Sequence, residues 1–242
     1  MANALVVDPR FCGPPEMANG GYVAGLLARE LDGTVEVSLR APTPLATPLE
    51  VASDPQGRWA LLHAGRELAR AERAELALEL RAPPPPDEIA ARAGGCRAMR
   101  THPFPGCFVC GPNRAPGDGL RVFPGMVAAS DAVAALWTPD ATLCDARGRV
   151  APEFLWAALD CPSAFPLLES EESRALEPMV LAKLCVALDG ELRCGETARL
   201  VAWPIAQEGR RGTAGAAIYG ESGNVVGRAR ATWVSLAGKT SR

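Results

Sequence analysis

The residues that could do chemistry are few, and they fall in short clusters. The stretch from Val150 to Leu168 reads V-A-P-E-F-L-W-A-A-L-D-C-P-S-A-F-P-L-L. A proline at a helix-start position and Glu153 in the first turn predict a helix. The predicted helix is apolar for two turns, and one carboxylate, Asp160, interrupts that oily surface. Acids buried without an ion pair are rare, so Asp160 is a candidate general base or nucleophile. A local alternative stands beside it. Pro162 removes a backbone donor and disturbs the preceding turn, and Asp160 could hydrogen-bond groups freed there. Glu153 lies two helical turns earlier on nearly the same face. A glutamate there commonly favours the helix dipole, which leaves it a second-rank candidate for positioning water.

A second cluster is Asn19-Gly20-Gly21-Tyr22, which leads into V-A-G-L-L-A-R-E-L. Asn is a good N-cap, and a glycine pair lets the backbone approach something closely. Helix-start amides are also donors for a developing oxyanion. A tight turn with close packing explains the same glycines equally well, and the two explanations are compatible.

Cys107-x-x-Cys110-Gly resembles half of a zinc knuckle, but no second C-x-x-C follows. His102, Cys96 or Cys12 would complete a site only by an unusual arrangement, so a thiol turn and no metal or other cofactor are expected. A redox C-x-x-C would open a helix in a βαβ context, which is absent. The histidines are His63, in a strand-like run, and His102. No G-x-S-x-G, P-loop or G-x-G-x-x-G is present, which argues against serine-hydrolase and nucleotide chemistry. Arg40, Arg66, Arg70, Arg228 and Arg230 lie on or beside strand-like runs. Some could meet phosphates, and most read as solvated sheet faces.

The elements that must position these residues follow a repeated plan. The first half predicts short strand material at Ala4–Val7, a helix after Asn19 ended by Asp32-Gly33, and four strand-like runs. These are Val35–Arg40, Thr47–Ala52, Arg58–His63 and Leu68–Leu80, the last ambiguous between helix propensity and strand alternation. Pro83 to Pro86 predicts a stiff, extended linker within residues 83–105, the clearest boundary in the chain. The second half predicts strands at Gly119–Val127 and Asp131–Trp137, the Asp160 helix, and an acidic surface loop at Glu169–Glu177. Strands return at Val180–Leu188, Glu196–Ile205, Thr213–Tyr219 and Val225–Leu236, before a polar tail, G-K-T-S-R. V-E-V-S-L-R at Val35 matches L-C-V-A-L-D at Leu184, and G-R-E-L-A-R-A-E-R-A at Gly65 matches G-N-V-V-G-R-A-R-A at Gly223. The predicted units are residues 1–82 and 106–242, each an α+β unit with one curved antiparallel sheet wrapped round one helix.

Composition narrows the function. The chain has 242 residues, a formal net charge of −3 and 48% hydrophobic residues, with both charge signs mixed along it. Nothing resembles a basic stripe for nucleic acid. No apolar run is long enough to span a membrane, and no signal peptide is read, so the cytoplasm is the expected compartment. The eight cysteines are expected to be free thiols in a core-rich chain of this size.

With this plan on the page, the chain resembles the double hotdog fold of acyl-CoA thioesterases. N-G-G-Y-V-A-G-L-L-A-R-E-L and V-E-V-S-L-R-A-P-T-P-L are similar to the N-terminal part of thioesterase II-like proteins. C-F-V-C-G-P-N-R-A-P-G-D-G-L-R-V resembles the entry to the first strand of small hotdog thioesterases. The resemblance implies a tandem hotdog that hydrolyses a small-molecule acyl thioester. It sets Gly21 and Asp160 on either side of one pocket, with Asn19, Gly20, Gly21 and Tyr22 holding the carbonyl. Asn19 stands where many relatives have His, and no Gln or Thr partner for Asp160 can be placed. A non-catalytic acyl or CoA-ester binder on the same fold is therefore the alternative. The resemblance also implies a pseudo-dimer within one chain, with its further oligomerisation left open. One of its two equivalent sites is retained, because Leu27 falls where the first half would carry the acid.

Overall fold

The computed structural model describes residues 4–170 and 177–236. The central part of the acidic loop and the polar C-terminal tail lie outside them.

Two buried helices form the axis. α1 spans Gly20–Ala28, and Asn19 caps it by accepting the Tyr22 N–H on its side-chain oxygen at 2.9 Å. Nearly every residue of α1 is buried, because the segment is apolar or glycine all round and so has no polar face to present to water. α4 spans Pro152–Leu168, starts on a proline, and keeps helical geometry through Pro162 and Pro166. It too is buried along its length, Asp160 included.

The strands come in chain order. β1 (Ala4–Val6), β2 (Val35–Leu39), β3 (Pro48–Ser53), β4 (Trp59–His63) and β5 (Arg66–Arg73) belong to the first half. β6 (Gly125–Met126), β7 (Val133–Trp137), β8 (Met179–Leu188), β9 (Ala198–Glu208), β10 (Arg211–Tyr219) and β11 (Val225–Ser235) belong to the second. All join one antiparallel sheet in the order β1-β3-β4-β5-β2-β8-β11-β10-β9-β7-β6. β2 and β8 close the two halves together, with Val35 opposite Val186 and Val37 opposite Leu184. The sheet packs round both helices: α1 lies on β2, β5 and β8, and α4 on β9, β10 and β11. In β11, Ala229, Ala231 and Trp233 face inward while Arg228, Arg230 and Thr232 face out. Small alanines leave room for α4, and the arginines lie half-buried on the outer face.

Several sequence expectations need correction. The run Leu68–Leu80 is strand only as far as Arg73, where β2 supplies its last partner, Val35. Beyond it the chain stays extended and straps the outer face of the second half. Leu76 packs on Cys185 and Ala187, and Leu78 and Leu80 reach the cluster of Trp203 and Tyr219. Its backbone is held by side chains rather than a ladder. The Tyr219 hydroxyl donates to the Arg81 carbonyl at 2.9 Å, and Arg228 donates to the Leu76 carbonyl at 3.1 Å. The proline segment is not extended throughout. Pro86 opens a short helix, α2 (Pro86–Arg92), because a proline at the first helical position loses no hydrogen bond, and Asp87 and Glu88 suit the dipole. A further turn, α3 (Arg97–Arg100), follows. The expected strand Gly119–Val127 shrinks to β6. Residues before it bond back to the cysteine loop, with Leu120 N–H to the Phe108 carbonyl at 2.8 Å and Val122 N–H to the Val109 carbonyl at 2.9 Å. The cysteines are not all free: Cys144 and Cys194 are disulfide-bonded, tying the approach to α4 to the β8–β9 connection. Their Cα atoms are brought to 6.3 Å although 50 residues separate them, so the pairing is set by the fold rather than by spacing.

Candidate functional site

The site grows from a close crossing of α1 and α4. Gly21 and Gly25 lie on the α1 face that meets Glu153, Trp156 and Asp160 of α4. A Cβ on Gly21 would come within 2.9 Å of both Asp160 Oδ2 and the Trp156 carbonyl oxygen. A Cβ on Gly25 would come within 2.9 Å of Trp156 Cβ. The glycines are therefore needed for approach, and that approach lets a side chain of α4 reach the start of α1.

Asp160 makes that reach. Its Oδ2 accepts the Gly21 N–H at 2.9 Å and the Asn19 side-chain amide at 3.2 Å. The Cys161 thiol adds a longer contact at 3.9 Å. The two nitrogen donors belong to the start of α1, not to backbone freed by Pro162, so the local alternative for this carboxylate does not describe it. Its other oxygen, Oδ1, is buried and has no hydrogen-bond partner among the described residues. Burial pushes the carboxyl up to about 7, against the Gly21 N–H and the Asn19 amide, which favour the charged form. A carboxyl in that range can both take and return a proton near neutrality.

The start of α1 divides its donors unequally. Four N–H groups at a helix start lack intrahelical partners or pair with the cap. Here Gly21 serves Asp160, Tyr22 serves the Asn19 side chain, and Val23 serves the Asn19 carbonyl at 3.1 Å. No partner for the Gly20 N–H occurs among the described residues.

A cavity of about 600 Å³ opens beside these groups. Asn19, Gly20 and Asp160 border it, together with Cys107, Cys110 and Cys161. Its walls are otherwise mostly apolar, with Leu39, Ala164, Phe165, Leu168, Leu181 and Trp233. Trp233 is fixed by its indole N–H, which donates to Ser163 at 2.9 Å, and Ser163 in turn donates to the Asp160 backbone carbonyl at 2.6 Å. Arg40 is an exposed member of the lining and pairs with Glu67 at 2.6 Å.

Of the expected site residues, Asn19, Gly20, Gly21 and Asp160 come together. Gly21 touches Asp160 rather than bordering the cavity. Tyr22 does not border it either; its ring stacks on Phe11 at 4.2 Å between centroids. Glu153 is also outside the cavity lining. It is buried against α1 and pairs with Arg29, which ties the two helices together.

Sequence reasoning picked out Cys107 and Cys110 but neither set them beside Asp160 nor joined Cys161 to them. Cys107 Sγ lies 3.7 Å from Cys161 Sγ, and His102 Nε2 lies 3.3 Å from Cys110 Sγ. Hydrogen bonds from Cys110 and Cys161 hold the Cys107 thiol well below its ordinary value, and giving those bonds pushes Cys110 and Cys161 well above theirs. The available signal was the C-x-x-C itself. Its third neighbour is Cys161 of α4, not Cys96 or Cys12, which the sequence offered with His102.

Comparison with solved structures identifies the fold. A tesB protein of Mycobacterium avium subsp. paratuberculosis superposes with a TM-score of 0.64 at 14% identity, covering 96% of this chain and 91% of that one. A Thermobifida fusca YX protein provisionally named a thioesterase II gives 0.63 at 15%, covering 97% and 93%. A conserved hot dog fold protein of unknown function from Alicyclobacillus acidocaldarius gives 0.59 at 11%, covering 96% and 91%. No protein-family model matches the sequence, and no curated protein matches it significantly. The chain has the hotdog fold, with likeness over nearly its whole length. No helix among the described residues is long and apolar enough to cross a membrane.

Proposed function

We propose that the protein hydrolyses the acyl thioester of a small thiol carrier, CoA or a carrier-borne equivalent. One observation carries the reading. A buried carboxylate with an unpartnered oxygen borders an apolar cavity, next to a helix start that keeps one free amide. Thioesterase names among structures of the same fold support the choice of bond.

In this reading the acyl chain lies along the apolar walls, whose volume falls in the range for small-molecule sites, roughly 300–1,000 Å³. The carbonyl oxygen is held near the Gly20 N–H at the positive end of α1. Asp160 takes a proton from water as the water oxygen adds to the carbonyl carbon. Collapse of the tetrahedral intermediate breaks the C–S bond, and the departing thiolate takes a proton back from Asp160. Direct attack by Asp160 gives the same products through a mixed anhydride that water opens. Asn19 and Gly21 orient the carboxylate rather than hold the substrate.

The same reading takes the chain as two tandem units, residues 1–82 and 106–242, joined by 83–105. Counted outward from the β2–β8 junction, the first four positions match: β2, β5, β4, β3 against β8, β11, β10, β9. The repeated stretches V-E-V-S-L and L-C-V-A-L fall on β2 and β8.

A second reading has its own observation. The Gly21 N–H and the Asn19 amide already serve Asp160, so the carboxylate also works as a cap for α1. A protein that binds acyl thioesters without turning them over would look the same. A panel of acyl-CoAs of graded chain length, followed by loss of the thioester and by thermal shift, separates the two. Turnover of any member supports hydrolysis. Stabilisation by the panel with no turnover supports binding alone, and neither effect sinks both.

A further inference from the structure

We propose that Cys107, Cys110 and Cys161 form a three-thiolate site for a thiophilic divalent cation, zinc, with its fourth position facing the cavity. This goes beyond the thioester reading and does not depend on it.

Geometry comes first. The three sulfur atoms lie within 4.8 Å of one another, and all three residues are buried. Zinc–thiolate bonds of about 2.3 Å in a tetrahedron put the sulfurs about 3.8 Å apart. The Cys107–Cys161 separation is 3.7 Å. A cation therefore fits with side-chain adjustments rather than a change of backbone. The ligands also come from two rigid sources. Cys107 and Cys110 share one turn, pinned by the Gly111 N–H to the Cys107 carbonyl at 2.9 Å, and Cys161 rides on α4.

Two hydrogen-bond donors face the sulfurs. The Asn19 side-chain amide is 3.5 Å from Cys161 Sγ and 4.0 Å from Cys107 Sγ. His102 Nε2 is 3.3 Å from Cys110 Sγ. His102 Nδ1 accepts the Phe104 backbone N–H at 3.0 Å, so the neutral ring carries its proton on Nε2. In that tautomer Nε2 cannot bind a metal and donates to the Cys110 sulfur instead. His102 is a positioning residue, and among the described residues the protein's own ligands number three. Three protein ligands plus one exchangeable position is the pattern of a site that meets solvent or ligand. Here all three cysteines border the cavity, which puts that position on the ligand's side.

The test uses the full chain, purified with a non-thiol reductant. Zinc content is measured directly, and Co²⁺ is titrated in to read thiolate-to-cobalt charge transfer. One equivalent per chain is expected, with tetrahedral cobalt bands. Cys107→Ser and Cys161→Ser lose the equivalent, while Cys12→Ser and Cys185→Ser keep it. His102→Gln keeps one equivalent but binds it about 10–100-fold more weakly, the usual cost of removing a group that supports a ligand. Reduced wild-type protein that binds neither zinc nor cobalt overturns the site, whatever the variants do. Loss of the metal in Cys12→Ser or Cys185→Ser moves it elsewhere. Loss of the equivalent in His102→Gln makes the histidine a ligand and removes the open position. Metal content is independent of thioester turnover, so neither result decides the other.

Discussion

Replacing Gly21 with alanine tests the contact on which the site depends. The added methyl would be forced against Asp160 Cβ and would lie 2.9 Å from both Asp160 Oδ2 and the Trp156 carbonyl. Relief requires α1 and α4 to separate. Overpacking of this kind costs about 1–3 kcal/mol. The shift also weakens the bond from the Gly21 N–H to a carboxylate, worth about 1.5–3 kcal/mol. Alanine's helix propensity returns at most about 1 kcal/mol. The net loss is about 2–5 kcal/mol, or roughly 4–20 °C in melting temperature for a chain of this size. Urea unfolding followed by tryptophan fluorescence measures it. Gly106→Ala is the control: its Cβ meets nothing within 4 Å, and its stability should stay within about 0.5 kcal/mol of wild type. If Gly21→Ala is as stable as Gly106→Ala, the helices do not meet as described, and the carboxylate is not held where the chemistry needs it.

Further outcomes follow from other contacts. Arg29→Met leaves Glu153 buried beside α1 without its ion-pair partner, and should destabilise by about 1–3 kcal/mol, the cost of an unsatisfied buried group. Glu153→Gln should leave thioester turnover within a few-fold, since Glu153 does not border the cavity; a hundred-fold fall would restore it as a water-positioning group. Unfolded, unreduced protein should react with thiol reagents at six cysteines, and a count of eight would refute the Cys144–Cys194 bond. Reducing that bond should cost about 2–4 kcal/mol of stability, read from the shift in urea midpoint. Ala164→Phe should shorten the acyl chains that bind, because Ala164 is part of the apolar wall; unchanged chain-length preference would place the acyl group elsewhere.

How much of this was legible in the sequence depended on the range of the cause. Local causes read well. Asn19 before two glycines gave the α1 start, Pro152 gave the α4 start, and the strand-like runs matched β2 and β8–β11 to within a few residues. Alternation failed where it reported extended backbone but not a partner, as in the strap after Arg73. The proline run failed because Pro86 can begin a helix as readily as prevent one. The meeting of Gly21 with Asp160 was reached through the resemblance, since no spacing links residues 139 apart. Cys161 was out of reach for the same reason. It lies 54 residues from Cys107, and only the packing of α4 on the cysteine turn joins them.

The most direct test of Asp160 is the turnover of a saturating acyl thioester by Asp160→Asn. Asparagine keeps an oxygen for the Gly21 N–H but cannot take a proton. The fall in kcat should be at least about 100-fold, the lower range for losing a general base, with the thioester still bound within a few-fold of wild type. A kcat equal to wild type, with binding intact, would mean that the carboxylate at the start of α1 is a cap and nothing more.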